Sequence, residues 1–178
     1  MNSQPLKILG AELQRRPAEA LAAAAPCDRE PRRLLVDVDN PGGAPLHVWT
    51  SRRAYEYDAA SGVLTLYLTE RTPPLPDTIK MISVHPQTPS QVEVPAHSQA
   101  KLELAVPAVI RRRVPAKGLG LAFVEEAIMR IEKVDLHIQF ADAPFAKPAG
   151  ATPEEHLQRL RTQGELARAT ITPTGTKE

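Results

Sequence analysis

The chain has 178 residues, 18 of them proline and only one cysteine, with 4% aromatic residues and 22 Lys plus Arg against 21 Asp plus Glu. That length can bury a core without metals or disulfides and favours one domain, while the lone Cys27 excludes an intramolecular disulfide framework and agrees with a reducing cytoplasm. The near-neutral charge gives no reason to expect nucleic acid, and the longest weakly apolar stretch, 18–26, is mostly alanine, contains Glu19 and is too short to span a bilayer. Arg15-Arg16, the alanines that follow and Cys27 imitate an export leader with a lipidated cysteine, but Pro17 and Glu19 interrupt the apolar region and Pro26 stands where a small residue is needed, so an exported lipoprotein is the lesser reading.

Residues 6–25 are good helix formers with sparse apolar points at Leu6, Leu9, Leu13 and Leu21, which predicts a short helix or two broken at Pro17. The stripe is thin, so this arm needs the main domain or a partner to become ordered. Residues 27–33 then read as a linker.

The period changes to two at Leu34. Leu34, Val36 and Val38 alternate with Leu35, Asp37 and Asp39, the pattern of a half-buried strand, and Asn40-Pro41-Gly42-Gly43 predicts a tight reversal into a second strand through Leu46, Val48 and Thr50. A strand over 54–57, a hairpin loop at 58–62 and a strand over 63–69 follow. Pro73, Pro74 and Pro76 mark a stiff crossing between sheets, with a short strand over 79–84. Further strands are expected at 91–94, 100–106 and 133–140, the last with Val134, Leu136, Ile138 and Phe140 on one face.

Leu121, Val124, Ile128 and Ile131 fall at helical spacing, which favours a short helix; the alternative is a strand over 127–131 paired with 133–140. Residues 141–150 read as linker. Thr152-Pro153-Glu154-Glu155 combines a capping hydroxyl, a proline at the first helical position and acids at the positive end of the dipole, predicting a helix to about residue 169 and a disordered tail over 170–178.

Leu34-Leu35-Val36-Asp37-Val38-Asp39-Asn40-Pro41 and Val92-Glu93-Val94-Pro95-Ala96-His97-Ser98 resemble segments of bacterial immunoglobulin-like domains. Over residues 34–140 the resemblance implies a mainly β fold: an antiparallel immunoglobulin-like or fibronectin-III-like sandwich of about seven strands, with short flanking helices at the N- and C-termini. It carries no functional residues. The expected organisation is an N-terminal arm and linker (1–28), the sandwich (29–145), and a C-terminal helix and tail (146–178).

No catalytic or metal constellation stands out. The five histidines are scattered; only His47 and His137, on outward faces of predicted strands, could be brought together by strand pairing. Asp37 and Asp39 precede a turn, but Pro41 breaks the calcium-loop pattern, so they read as carboxylates that protect a sheet edge. Gly118-Leu119-Gly120 lacks the third glycine of a nucleotide fingerprint, where Phe123 stands, and no nucleophile elbow is present. Arg111, Arg112 and Arg113 form the main basic run, suited to an acidic protein surface or a phosphate. Trp49, Tyr55, Tyr57 and Tyr67 could make an aromatic platform for a sugar or a protein.

The expectation is therefore a non-catalytic interaction or assembly module without a cofactor, acting on another protein or on a second copy. The alternative is a small-molecule or carbohydrate-binding sandwich, or an enzyme whose site comes from distant residues.

Overall fold

The computed structural model describes residues 6–23, 30–72, 86–115, 118 and 121–175. In chain order its elements are β1 (Lys7–Arg15), α1 (Ala18–Ala23), β2 (Arg32–Asn40), β3 (Leu46–Trp49), β4 (Ala54–Asp58), β5 (Val63–Leu68) and β6 (Gln91–Val94). There follow β7 (Ser98–Val106), β8 (Val109–Pro115), β9 (Leu121–Ala127), β10 (Lys133–Ala141), α2 (Pro153–Thr162), β11 (Glu165–Ile171) and β12 (Thr174–Gly175). The protein is mainly β, as the alternating pattern implies, but with twelve strands among the described residues where about seven were expected.

One sheet has the order β12-β1-β2-β7, and a second runs β4-β5-β10-β3-β6 with β11 also paired to β10. Most pairings are antiparallel; β1 with β12 and β5 with β10 are parallel. The aliphatic faces read from the sequence are the faces that meet. Leu34, Val36 and Val38 of β2 and Leu102, Leu104 and Val106 of β7 share one buried cluster with Leu64, Leu66 and Leu68 of β5 and Val134, Leu136, Ile138 and Phe140 of β10. Each such side chain withdrawn from water contributes about 1.5–3 kcal/mol, so this cluster is the main reason the two sheets stay together.

Several expectations are corrected. Asn40-Pro41-Gly42-Gly43 does not join a hairpin: β2 and β3 belong to different sheets, and the turn carries the chain from one to the other. Asn40 is fully buried there, and its Nδ2 donates to the carbonyls of Ala44, Val94 and Pro95 while its Oδ1 accepts from Gly42 N. A buried amide with four partners specifies this crossing more tightly than turn propensity does. The Asp58-to-Gly62 loop does form the expected hairpin, between β4 and β5. β2 is also an interior strand, flanked by β1 and β7, so Asp37 and Asp39 do not guard an edge; Asp37 Oδ1 lies 2.9 Å from Lys101 Nζ on the neighbouring strand.

The N-terminal segment is a strand, not a helix, through residue 15. Its register against β2 slips between Ile8 and Gly10, making a β-bulge at Leu9. The bulge moves the inward positions from even to odd numbers, so Leu6 and Ile8 face the core before it, Ala11 and Leu13 after it, and Leu9 is left 52% exposed. That single extra residue turns an alternating pattern into one that imitates helical spacing.

At the other end, Thr152 caps α2 as predicted, with Oγ1 accepting from Glu155 N and the Glu155 carboxylate accepting from Thr152 N. The helix stops at Thr162, well short of residue 169. Gly164 has φ +71°, and a Cβ there would lie 2.0 Å from the Phe140 carbonyl oxygen, so only glycine permits the chain to turn back at this point. The chain then runs as β11 along β10, and Thr174–Gly175 pairs with β1, so residues 170–175 are ordered strand and turn where a loose tail was expected. Residues 141–150 are anchored too: Phe145 is fully buried and meets Trp49 edge-on with ring centroids 5.2 Å apart, while its backbone N and O bond the Gln91 side chain.

The strand expected over 79–84, the proline-rich crossing at 73–77 and Cys27 lie outside the described residues. Among the described residues no helix is long and apolar enough to cross a membrane.

Candidate functional site: a two-stranded ribbon and the crevices at its base

Residues 121–127 form a strand, and their helical spacing is overruled by pairing with β8: Val109 faces Ala127, Arg111 faces Glu125 and Arg113 faces Phe123 in register. The alternative strand over 127–131 is not formed either, since β9 ends at Ala127. Among the described residues β8 and β9 pair only with each other, which makes them a ribbon outside both sheets.

The ribbon is rooted in the core and exposed beyond it. Ile110 and Ile128 are each 2% exposed and belong to the buried cluster. Further out, Phe123 is 53% and Val124 is 49% exposed, and because consecutive strand residues point to opposite faces, the outer ribbon offers apolar surface on both.

A ring of polar contacts grips the base. Ile128 N donates to Ala108 O at 2.9 Å and Ala108 N to Glu30 Oε2 at 3.1 Å. Arg32 donates to the Ile128 carbonyl, the Tyr55 hydroxyl to Val109 O at 2.9 Å, and the Tyr57 hydroxyl to Arg130 O at 2.7 Å. Burial pushes the Tyr55 pKa up, with Arg52, stacked 4.8 Å over its ring, pulling the other way.

These contacts decide the fate of the aromatic platform. Trp49 is fully buried, with Nε1 donating to Ser51 O at 2.8 Å; Tyr57 and Tyr67 are each 5% exposed, and Tyr55 is half-buried. The two tyrosines of β4 hold the ribbon and the segment after it. Of the arginine run, Arg111 is exposed and its Nε lies 2.7 Å from Glu125 Oε1, while Arg112 and Arg113 are placed by register opposite Val124 and Phe123. The ribbon thus carries the basic run, and of the predicted aromatics Tyr55 and Tyr57 stand at its base.

His47 and His137 are not brought together. His47 pairs with Ala141 in register, four residues past His137 on β10, and each histidine has its own carboxylate: Glu93 at 4.0 Å and Asp135 at 3.2 Å. Among the described residues no three His, Cys, Asp or Glu side chains converge in a way that could hold a metal ion.

Two adjoining crevices open at the ribbon base, of about 550 and 390 Å3, sharing Arg15, Arg32 and Met129 in their linings. Sequence reading passed over them because their walls come from segments far apart in the chain. The doublets Arg15-Arg16 and Arg32-Arg33 were the available signal, since antiparallel pairing of their segments sets two cations opposite each other. Compared with protein-family models, curated proteins and solved structures, the chain matches none.

Proposed function

We propose that the chain is a non-catalytic protein-interaction module on an immunoglobulin-like scaffold, with the β8–β9 ribbon as its contact element and an acidic, extended segment of another protein as its partner. The observation that carries this reading is the exposure of Phe123 and Val124 on opposite faces of a ribbon that has no third strand among the described residues. Two strands alone are marginal in water, and a third strand laid along either edge supplies both the missing backbone hydrogen bonds and cover for those side chains. Arg111, Arg112 and Arg113 on β8 against Glu125 and Glu126 on β9 leave the two strands with net positive charge, which selects an acidic segment. Two sheets over one core support the scaffold reading; the parallel β1–β12 and β5–β10 pairings are its departures from an all-antiparallel sandwich.

The test is a titration of the full chain with a synthetic peptide of alternating Val and Glu, followed through backbone amide resonances. Resonances of 121–127 should shift, and the double change Phe123→Ser, Val124→Ser should weaken binding at least about tenfold, the scale expected when one buried apolar side chain is lost. Absence of binding, or binding indifferent to that change, would sink the reading. An oligomer in sedimentation that dissociates in the same variant would put a second copy in the partner's place.

A further inference from the structure

Among the described residues the β8–β9 ribbon pairs with neither sheet, so no ladder of backbone hydrogen bonds to the body sets its angle. Two tyrosines, two positions apart on β4, take over that task. Alternate residues of a strand point to one face, and here that face looks into the core: Tyr57 belongs to the buried cluster and Tyr55 packs against it. Each hydroxyl reaches one foot of the ribbon. Tyr55 donates to the carbonyl of Val109, the first residue of β8, at 2.9 Å, and Tyr57 to that of Arg130, just past the end of β9, at 2.7 Å.

The feet are also tied to each other and to neighbouring segments. Ile128 N donates to Ala108 O at 2.9 Å, Ala108 N donates to Glu30 Oε2 at 3.1 Å, and Arg32 donates to the Ile128 carbonyl. Arg52 donates to Ala105 O at 3.0 Å near the end of β7 while its guanidinium lies 4.8 Å over the Tyr55 ring, which steadies the ring whose hydroxyl holds Val109. In each of these contacts the group held at the foot belongs to the main chain. They therefore fix the path of the backbone and are indifferent to the side chains that the ribbon carries. A phenol suits such a strut: two torsions set it, its ring is seated among apolar side chains, and its one polar atom stands at the tip.

A fixed angle matters because of what the outer ribbon presents. Phe123 and Val124 stand about half exposed on opposite faces. A swinging ribbon would offer them at many angles, and an arriving strand would find the competent one for only part of the time, which lowers apparent affinity by that fraction. A mounted ribbon avoids the cost of ordering on contact.

We infer that Tyr55 and Tyr57 are positioning residues of the contact element: their hydroxyls hold both feet of the ribbon at one angle to the body and act on docking through the ribbon's backbone, not by touching the partner. The inference rests on the reading of the ribbon as a docking element and adds the residues outside it on which its readiness depends.

The test compares the full chain with Tyr55→Phe, Tyr57→Phe and the pair, changes that remove a hydroxyl and keep the packed ring. Tyr67→Phe is the control, since that hydroxyl bonds Glu56 at 2.7 Å instead of the ribbon's main chain. In the parent, residual dipolar couplings of residues 109–114 and 121–127 should fit the same alignment as β2 and β10. In the paired variant they should shrink relative to the body, and the Ala108 and Ile128 amides should exchange with solvent about threefold faster or more, the scale of one lost hydrogen bond, with the amides of β2 and β10 unchanged. The Val-Glu peptide should then associate more slowly with the paired variant and dissociate at the parent's rate, whereas Phe123→Ser, which removes a contact, should speed dissociation. Tyr67→Phe should match the parent in every readout.

A parent that binds the peptide while the paired variant keeps the parent's couplings, exchange and association rate overturns this inference and leaves the docking reading standing. Loosened couplings with an unchanged association rate overturn it as well, as does equal acceleration of exchange throughout the body or an effect of Tyr67→Phe as large as that of the pair. A parent that does not bind the peptide sinks the docking reading itself, and the positioning role with it.

Discussion

The two-sheet body and the β8–β9 ribbon use the same local grammar of alternating strands, yet they treat their apolar side chains in opposite ways. In the body, the inward face of each long strand meets a second sheet, so Leu34, Val36, Val38, Leu64, Val134 and Leu136 are all fully buried. In the ribbon only the root, Ile110 and Ile128, finds such cover, and the outer residues Phe123 and Val124 stay about half exposed. An apolar side chain is a structural element where a second layer covers it and a contact element where none does.

The largest effect that separates the two regions is expected at Trp49. Trp49→Ala removes a fully buried indole packed on Phe145 and should cost about 3–5 kcal/mol in a denaturant titration, a large share of a typical domain's stability. A cost below about 1 kcal/mol would mean that this end of the body is not a packed core.

A smaller effect sharpens the account of how α2 is seated. His156 is 1% exposed, neither ring nitrogen has a hydrogen-bond partner among the described residues, and burial, with Lys147 and Arg159 nearby, lowers its pKa from the ordinary 6.5. The unfolded chain then binds a proton more readily than the folded one, so stability is full above about pH 6.5 and falls as the pH drops from there through the folded-state value. Comparing denaturation midpoints from neutral to mildly acidic pH should show that decline, and His156→Leu should flatten the part due to this residue. A parent and variant with the same pH dependence would contradict the buried, neutral imidazole.

The smallest effect belongs to the ribbon. Phe123→Ser changes an exposed side chain outside both sheets and should alter global stability by no more than about 0.5 kcal/mol, the ordinary range for surface positions. A loss approaching that of Trp49→Ala would erase the distinction between the regions and remove the ground for treating the ribbon as a contact element.

The alternating runs were legible because each strand of the body obeys a period of two over several residues, and the capping box of α2 because its four residues satisfy one another locally. Three features misled for identifiable reasons. In β1 the bulge at Leu9 shifted the inward positions by one residue, which spoils alternation without producing a helix. In β9 the helical spacing of Leu121, Val124, Ile128 and Ile131 joins residues from a ribbon, its root and a loop, three environments that no single period describes. After α2, Gly164 falls inside the span predicted as helix to about residue 169, whereas it is the turning point required by the approach of the Phe140 carbonyl. The basic run at Arg111 to Arg113 was visible as charge, but the sequence could not place it on a ribbon standing outside the sheets.

By itself, then, the sequence determined the class of the protein, the inward faces of β2, β5, β7 and β10, the β4–β5 hairpin and the start of α2, all of which depend on residues within a few positions of one another. Tertiary structure decided which strands pair, that Asn40 anchors a crossing between sheets, and that Trp49 and Tyr57 serve packing and anchoring instead of an exposed platform. It also decided that Arg15 and Arg32, seventeen positions apart in the sequence, are register partners on adjoining strands. The physical reason is range: periodicity and capping are written in neighbouring residues, whereas the burial of an indole or the anchoring of Asn40 depends on chain segments that meet only after the sheets have closed.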